Sequence, residues 1–477
     1  MKNFNVKKGN FIKSNNNTTK MMYHVIICLI PIILFSFYKN GILPVIKGSG
    51  SVISVLRPLF LIIVPCFVSI LTEYIYYIIK KDKKDLNYLF LESFAIIPGM
   101  FIGLIIPINT PMWLVIIAAF IASFSKMICG GLGKNIFNPA LFGALIITVF
   151  AASYIGGMGG YLNSYEIDAI SSATPLSNLS ALGHAGSYNE LITPYGSLWT
   201  FFFGNIPGAI GETSSFLCIM AFIYLVINKV IKWRISVSYV LTVFVISLII
   251  GFANNMELWY PVFCILSGGL LFGAVFMATD PVTSPITNHG QVLGGIILGI
   301  ITIIIRYLTV FPEGVLISIL IFNILTLGIN YLSNRFSFNK LYKIISLLVV
   351  IIIGIILTII ISNKIDYNPN SIKDDTFTVT DTEIVGNSKI YYVTSQGFGG
   401  KKSIKSKITM ENNNIVKFEI ISSKDSYMGI VLDNNYIDTI INNQNNLDNI
   451  DGVSGATYTS KYLKELTQKI KLYDRSN

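Results

Sequence analysis

Leu347-Leu-Val-Val-Ile-Ile-Ile-Gly-Ile-Ile-Leu-Thr-Ile-Ile-Ile-Ser362 closes an apolar run, and from there to Asn477 the chain turns polar and stays so. A run of this kind can cross a hydrocarbon core as a helix, which takes about 20 residues. Working outward from it, eleven such runs are present in all, centred near residues 30, 66, 97, 120, 146, 223, 244, 268, 300, 323 and 352. Composition agrees: 53% of residues are hydrophobic and 13% are charged, against roughly a quarter charged in soluble domains. The expected fold is a polytopic α-helical membrane protein with a small α+β domain after it. A bundle of about ten spans takes residues 1–335, one anchor span takes 336–362, and the small domain takes 363–477.

Basic residues set the expected orientation, because Lys and Arg concentrate in cytoplasmic loops. The leader carries Lys2, Lys7, Lys8, Lys13 and Lys20, and the following Tyr38-Lys-Asn-Gly-Ile42 has no small-x-small cleavage site, so the first span is read as retained. With the N-terminus inside, inner loops receive the Lys80–Lys84 cluster, Lys126, Lys134, Lys229, Lys232, Arg234, Arg335, Lys340 and Lys343. Outer loops receive Lys39, Lys47, Arg57 and Arg306, and the loop at 152–214 has neither Lys nor Arg. The tail then lies outside a cell membrane. It carries 14 basic and 14 acidic residues after Ser362, so the net charge of +10 belongs to the membrane part. That charge reflects topology rather than nucleic-acid binding.

One heptad occurs twice. Asp168-Ala-Ile-Ser171-Ser-Ala173-Thr174 and Asp451-Gly-Val-Ser454-Gly455-Ala456-Thr457 both read D-x-x-S-x-A-T, one between spans and one near the end of the tail. Unrelated surroundings leave shared chemistry as the reason for the echo. A hydroxyl among small residues suits covalent attachment of a bulky group, since small residues let that group and a modifying enzyme approach the backbone. Both threonines fall on the outer face by the charge count. The tail also offers strand-like stretches at Thr376–Thr380, Ile390–Val393 and Asn414–Ile421, and a helix with Tyr462, Leu463, Leu466 and Ile470 at three- and four-residue spacing. Thr459 and Ser460 are its candidate caps, which would leave Thr457 just before a helix N-terminus, a favourable place for a phosphate. Gly397-Phe-Gly-Gly400 marks a turn.

The five cysteines lie within or beside spans with no C-x-x-C, and the three histidines are scattered. No metal site, haem or cluster is expected from them. A redox role would therefore need an organic cofactor. No G-x-G-x-x-G joins a strand to a helix, so NAD binding is not expected within this chain.

Around Thr457 the sequence resembles the S-G-A-T flavinylation motif of the FMN-binding domain in the Rnf G subunit and the NADH:quinone reductase C subunit. The membrane part resembles the Rnf D subunit and the related reductase B subunit. The matching stretches are Gly130–Ala140 with Asn135 and Asn138, Ser171–Leu176, Gly208–Ser214 with Glu212, and Met277–Thr283 with Asp280. The resemblance implies FMN held by phosphoester bonds to Thr174 and Thr457, installed from FAD by a flavin transferase. It also implies an electron-transfer subunit of an ion-translocating ferredoxin:NAD oxidoreductase, a translocase in which this subunit is not catalytic alone, with other membrane and peripheral Rnf-like subunits as partners. Asp168, Ser171, Ala173, Asp451, Ser454, Gly455 and Ala456 accompany the two threonines. Asn135, Asn138, Glu212 and Asp280 are the candidates for packing around a flavin or an ion path, with room for a further non-covalent flavin. Where the G-like family has an E-T-P-G-like stretch, this tail has Ser423-Lys-Asp-Ser-Tyr-Met-Gly429.

Blander readings exist for each feature. An S-G-A-T before a helix can be a cap, and Asn or Asp beside Pro can be a turn between spans. Glu73 and Glu92 read as snorkelling or pairing with the Lys80–Lys84 cluster. Two alternative functions are a flavoprotein serving an extracellular acceptor and, in another class, a transporter with a sensor domain, which the Gly and Pro beside the spans would suit.

Overall fold

Six of the eleven apolar positions hold helices long enough to cross a membrane: Thr18–Ile46, Arg57–Ile79, Trp233–Ala253, Asn288–Leu308, Val315–Arg335 and Lys340–Lys364. The position near residue 268 is a broken pair, Trp259–Leu266 and Leu270–Met277, bent by 64°. The other four hold shorter helices of 10 to 17 residues, namely Ile96–Ile105, Met112–Ile128, Pro139–Phe150 and Ser215–Ile227. The expected ten spans plus an anchor thus become, among the described residues, six helices of spanning length, or seven with the bent pair. The computed structural model describes residues 17–46, 55–81, 86–151, 174–212, 214–309, 311–335 and 339–365, and 377–476 of the tail outside several short turns.

The short helices have local causes. Ile106 precedes Pro107, which disfavours helical backbone, and Ile106 is extended with ψ 144°. At the other end of such a helix, Asn138 caps Pro139–Phe150, its Oδ1 accepting from the Ala140 and Leu141 N–H groups at 3.1 and 3.4 Å. Carbonyls left over by such breaks need partners at membrane depth. The loop before residue 214 supplies some: Gly211 N donates to Leu104 O at 2.7 Å and Ile210 N to Ile106 O at 3.3 Å. Three of the four basic residues assigned to the outer side serve the same purpose. Lys39 donates to Ile206 O, Arg57 Nε to Ile108 O at 2.8 Å, and Arg306 Nη1 to Cys264 O at 2.8 Å.

Two glycine pairs bring helices into backbone contact. A Cβ at Gly99 would lie 2.4 Å from Pro65 O, and one at Gly103 would lie 2.6 Å from Leu61 O. Gly295 and Gly299 seat the Asn288–Leu308 helix on Trp233–Ala253 in the same way, at 2.7 Å from Ile235 O and 3.2 Å from Tyr239 O. Small residues four apart give helices this close approach, which substitutes for the missing hydrophobic drive inside lipid. The register (Gly295 beside Ile235, Gly299 beside Thr242) makes these two helices parallel. Lys340–Lys364 runs with them, since Ser346 meets His289 and Gly354 meets Ile300.

The tail is a four-stranded antiparallel meander, β1 (Phe377–Val385), β2 (Ser388–Gly397), β3 (Gly400–Glu411) and β4 (Asn414–Ser423), in the order β1-β2-β3-β4. Three of the strands lie where expected. β3 does not appear in the sequence reading, although Ile404, Ser406, Ile408 and Met410 face the core and alternate with Lys405 and Lys407. The glycine-marked turn is the β2–β3 hairpin, with Gly397 opposite Gly400. The closing helix, Thr457–Ser476, lays Leu463, Leu466 and Ile470 on this core.

Candidate functional sites

Thr174 is the N-cap of the short Pro175–Ala181 helix. Its Oγ1 accepts from Ser177 N at 3.2 Å and shares a hydrogen bond with Ser177 Oγ at 2.8 Å. The residue is 2% exposed and lines a cavity of about 460 Å³ with Ser177, Glu212, Glu313, Ile105 and Phe311. That volume lies within the roughly 300–1,000 Å³ range of small-molecule sites. Asp168, Ser171 and Ala173 fall outside the described residues.

In the tail, the helix begins at Thr457 itself, so Thr459 and Ser460 are first-turn residues and not caps. Their hydroxyls brace the loop instead. Ser460 Oγ accepts from Val453 N at 3.1 Å and donates to Ala456 O at 2.9 Å, closing the 453–456 turn. Within that turn Gly455 has φ +83°, a left-handed conformation that glycine adopts without strain. Asp451 is exposed and Ala456 is buried, while Ser454 lies outside the described residues. Asp425, from the Ser423–Gly429 stretch, accepts from Thr459 Oγ1 at 2.9 Å. Its place in the sequence gives no sign of that role.

The two motif regions meet. Tyr458, next to Thr457, and Tyr195, from the loop after Thr174, both approach the side chain of Asn178. Asn178 is one helical turn beyond Thr174, and its Nδ2 donates to Glu190 O at 3.1 Å. Burial pushes the Tyr458 hydroxyl up to about 12, with Glu190 adding to the effect. Nothing in the sequence singles out Asn178, Tyr195 or Tyr458.

At the other end of the bundle, Asn135, Asn138, Thr279 and Asp280 line one cavity of about 90 Å³, together with Phe94, Lys126 and Phe276. Residues of the Gly130–Ala140 and Met277–Thr283 stretches are therefore brought together around one cavity. Asp280 is held by Val282 N at 3.1 Å and Thr283 Oγ1 at 3.4 Å. Asn135 Oδ1 is buried and has no hydrogen-bond partner among the described residues. The cavity has space for several waters or an ion, and a flavin ring would enter only if flexible side chains such as Met21 and Met22 moved aside.

Glu73 corrects its expectation. It is fully buried, accepts from Ser93 Oγ, and forms an ion pair with Lys126 Nζ at 2.6 Å. Lys126 also donates to Ser93 O at 2.7 Å. Fifty-three positions separate the partners, so local charge patterning could not have paired them.

Fold and sites together define a multi-helix membrane protein with a small α+β domain appended to it. Residues 5–339 match the model of the NQR2, RnfD, RnfE family, and residues 397–470 match that of the FMN-binding domain. The chain is 32% identical over 330 residues to the D subunit of the proton-translocating ferredoxin:NAD(+) oxidoreductase complex of Clostridium ljungdahlii, covering 68% of this chain and 92% of that one. It is 30% identical over 341 residues to the D subunit of the Na(+)-translocating ferredoxin:NAD(+) oxidoreductase complex of Acetobacterium woodii, covering 71% and 95%. A third relative is the B subunit of the Na(+)-translocating NADH-quinone reductase of Chromohalobacter salexigens, 34% identical over 230 residues, 46% of this chain and 54% of that one. The chain belongs to the NQR2, RnfD, RnfE family and carries a C-terminal FMN-binding domain.

Proposed function

We propose that this chain is an electron-transfer subunit of a membrane-bound, ion-translocating ferredoxin:NAD oxidoreductase, with FMN as phosphoesters on Thr174 and Thr457. The observation that supports it most is the meeting of Tyr458 with Asn178 and Tyr195, which brings residues that follow Thr174 and Thr457 together. In the attachment step the threonine oxygen displaces AMP from FAD, and the hydroxyl proton leaves with it. A flavin transferase would carry this out.

Bound FMN would supply one-electron chemistry, with the protein setting its potential and geometry. The chain's own residues suit that task. Ser177 N–H can still donate to an ester oxygen at position 174, because esterification removes the hydroxyl hydrogen and keeps the acceptor. Ile105, Ile106, Phe311 and Pro312 wall the cavity with apolar surface, which excludes water and strengthens electrostatic interactions inside. In the tail, Asp425, Thr459 and Ser460 fix the turn that presents Thr457.

Three measurements test the reading. The denatured full-length band, made with an active flavin transferase, should fluoresce as flavin on a gel; a dark band would leave the transporter reading. Orientation rests on the basic-residue asymmetry, so a cysteine replacing exposed Asn189 should react with an impermeant thiol reagent in intact cells. Labelling only after lysis would overturn the outside assignment of Thr174. For the opposite cavity, alanine at Asn135, Asn138 or Asp280 should slow electron transfer at least about tenfold while both covalent flavins remain, the equivalent of about 1.4 kcal/mol in the barrier. Normal turnover in all three variants would reduce those stretches to packing turns.

A further inference from the structure

The break between Trp259–Leu266 and Leu270–Met277 consists of Ser267, Gly268 and Gly269, and a carboxyl group stands against each glycine. A Cβ at Gly269 would lie 2.5 Å from the Glu212 carboxyl carbon, and one at Gly268 would lie 3.7 Å from that of Glu313. Glu212 is brought there by the backbone pairing of Gly211 with Leu104, and Glu313 by the loop before Val315–Arg335. Both line the cavity beside Thr174.

A cation stands behind them. Arg306, 3% exposed, donates from Nε to Glu313 O at 2.9 Å and from Nη1 to Cys264 O at 2.8 Å, which fixes the guanidinium plane. Its Nη2 has no hydrogen-bond partner among the described residues. The Nε–H and one Nη2–H share an edge of the guanidinium and point the same way, so Nη2 faces the Glu313 side. Glu313 Oε1 is likewise buried and unpartnered, and so is Ser267 Oγ in the break itself, where Ser267 is fully buried. One guanidinium and two carboxyl groups carry one excess negative charge if all are ionised. Desolvated charge of that kind is costly, and two carboxyl groups in one low-dielectric site do not both ionise.

We infer that Glu212 and Glu313 form a single site holding one exchangeable proton at the break in the bent helix pair, open to the cavity beside Thr174. One proton leaves the cluster with Arg306 neutral. The direction of each titration is consistent: burial raises both carboxyls above the usual range, Glu313 raises Glu212 further, and Arg306 acts to lower Glu313. Arg306 is bonded to the Glu313 backbone, so Glu313 is the member placed to carry the charge and Glu212 the member placed to hold the proton. Among the described residues, Cys218 also lies near Glu212, and Tyr239, Cys264 and Tyr307 lie near Arg306. The largely apolar remaining wall offers few further oxygens to a sodium ion, which favours a proton. This site stands whether or not Thr174 carries a flavin.

Infrared difference spectra of the full-length chain in lipid, near neutral pH and at fixed sodium, count the protonated carboxyls. Glu212→Gln should remove one protonated-carboxyl band. Glu313→Gln should remove the same band, because Glu212 then ionises against Arg306, and the double variant should lose no more than either single one. Arg306→Gln should add a second protonated carboxyl. Two independent bands, lost one per variant, would overturn the shared site, as would loss of none. A band that disappears on adding sodium at constant pH would assign the site to sodium and overturn the proton. If the variants do not accumulate, the unmodified chain serves: its band must fall in one step as pH rises, and a band indifferent to pH overturns the inference.

Discussion

Protein made with an active flavin transferase should lose its tail flavin completely when Thr457 is changed to Ala. Thr174→Ala should remove the flavin from the membrane part in the same way, and the double variant should retain none covalently. The expectation is all or nothing, because only the hydroxyl oxygen can displace AMP from FAD at either position. The competing role, that of a cap, predicts something else. At Thr174 the side chain accepts from Ser177 N, and loss of such a cap costs about 1 kcal/mol without touching flavin content. Peptide mass spectrometry of the two regions separates the outcomes. Thr457 should be modified more completely, since Gly452 and Gly455 leave its loop open where Ala169 and Ser172 stand in the other copy. An unmodified Thr457 would sink the flavin assignment for the whole chain.

Glu73→Ala should be the most destabilising single change in the membrane part, at about 3–5 kcal/mol, since it strands the Lys126 ammonium in a fully buried position. Lys126→Ala should cost as much from the other side. The pair Glu73→Met with Lys126→Met should recover most of the loss, because two apolar groups of similar volume need no counter-charge. Thermal unfolding in detergent, followed by the disappearance of the monodisperse peak, gives the ranking. Equal midpoints for the single and double variants would mean that water reaches the pair and the burial is not felt.

That ion pair also marks where sequence reasoning stops. Glu73 lies seven positions from Lys80 in the chain, and proximity in sequence suggests the wrong partner. Lys126 reaches it only because two helices pack together. Apolar runs are legible because burial in lipid demands long hydrophobic stretches. Their breaks are not, because averaged hydropathy is the same for a helix and for the extended Ile106–Pro107 segment that ends one. The proline is the available signal. Likewise β3 hides behind its lysines, although Ile404, Ile408 and Met410 keep the period of two that a half-buried strand requires. The echo of the two heptads points to the threonines, while Asn178, Tyr195, Asp425 and Glu313 come into view only through the fold.

The Lys340–Lys364 helix, packed against the bundle through Gly354 and otherwise largely facing outward, precedes the FMN-binding domain in the sequence. The NQR2, RnfD, RnfE family model matches residues 5–339, ahead of that helix. Joining the two in one polypeptide changes what a cell must regulate. Every copy translated delivers both modules in a ratio of one to one, so unequal synthesis cannot leave membranes holding one without the other. Assembly has one fewer docking event to get right, and a frameshift or early stop in this one reading frame removes the second module from every copy at once.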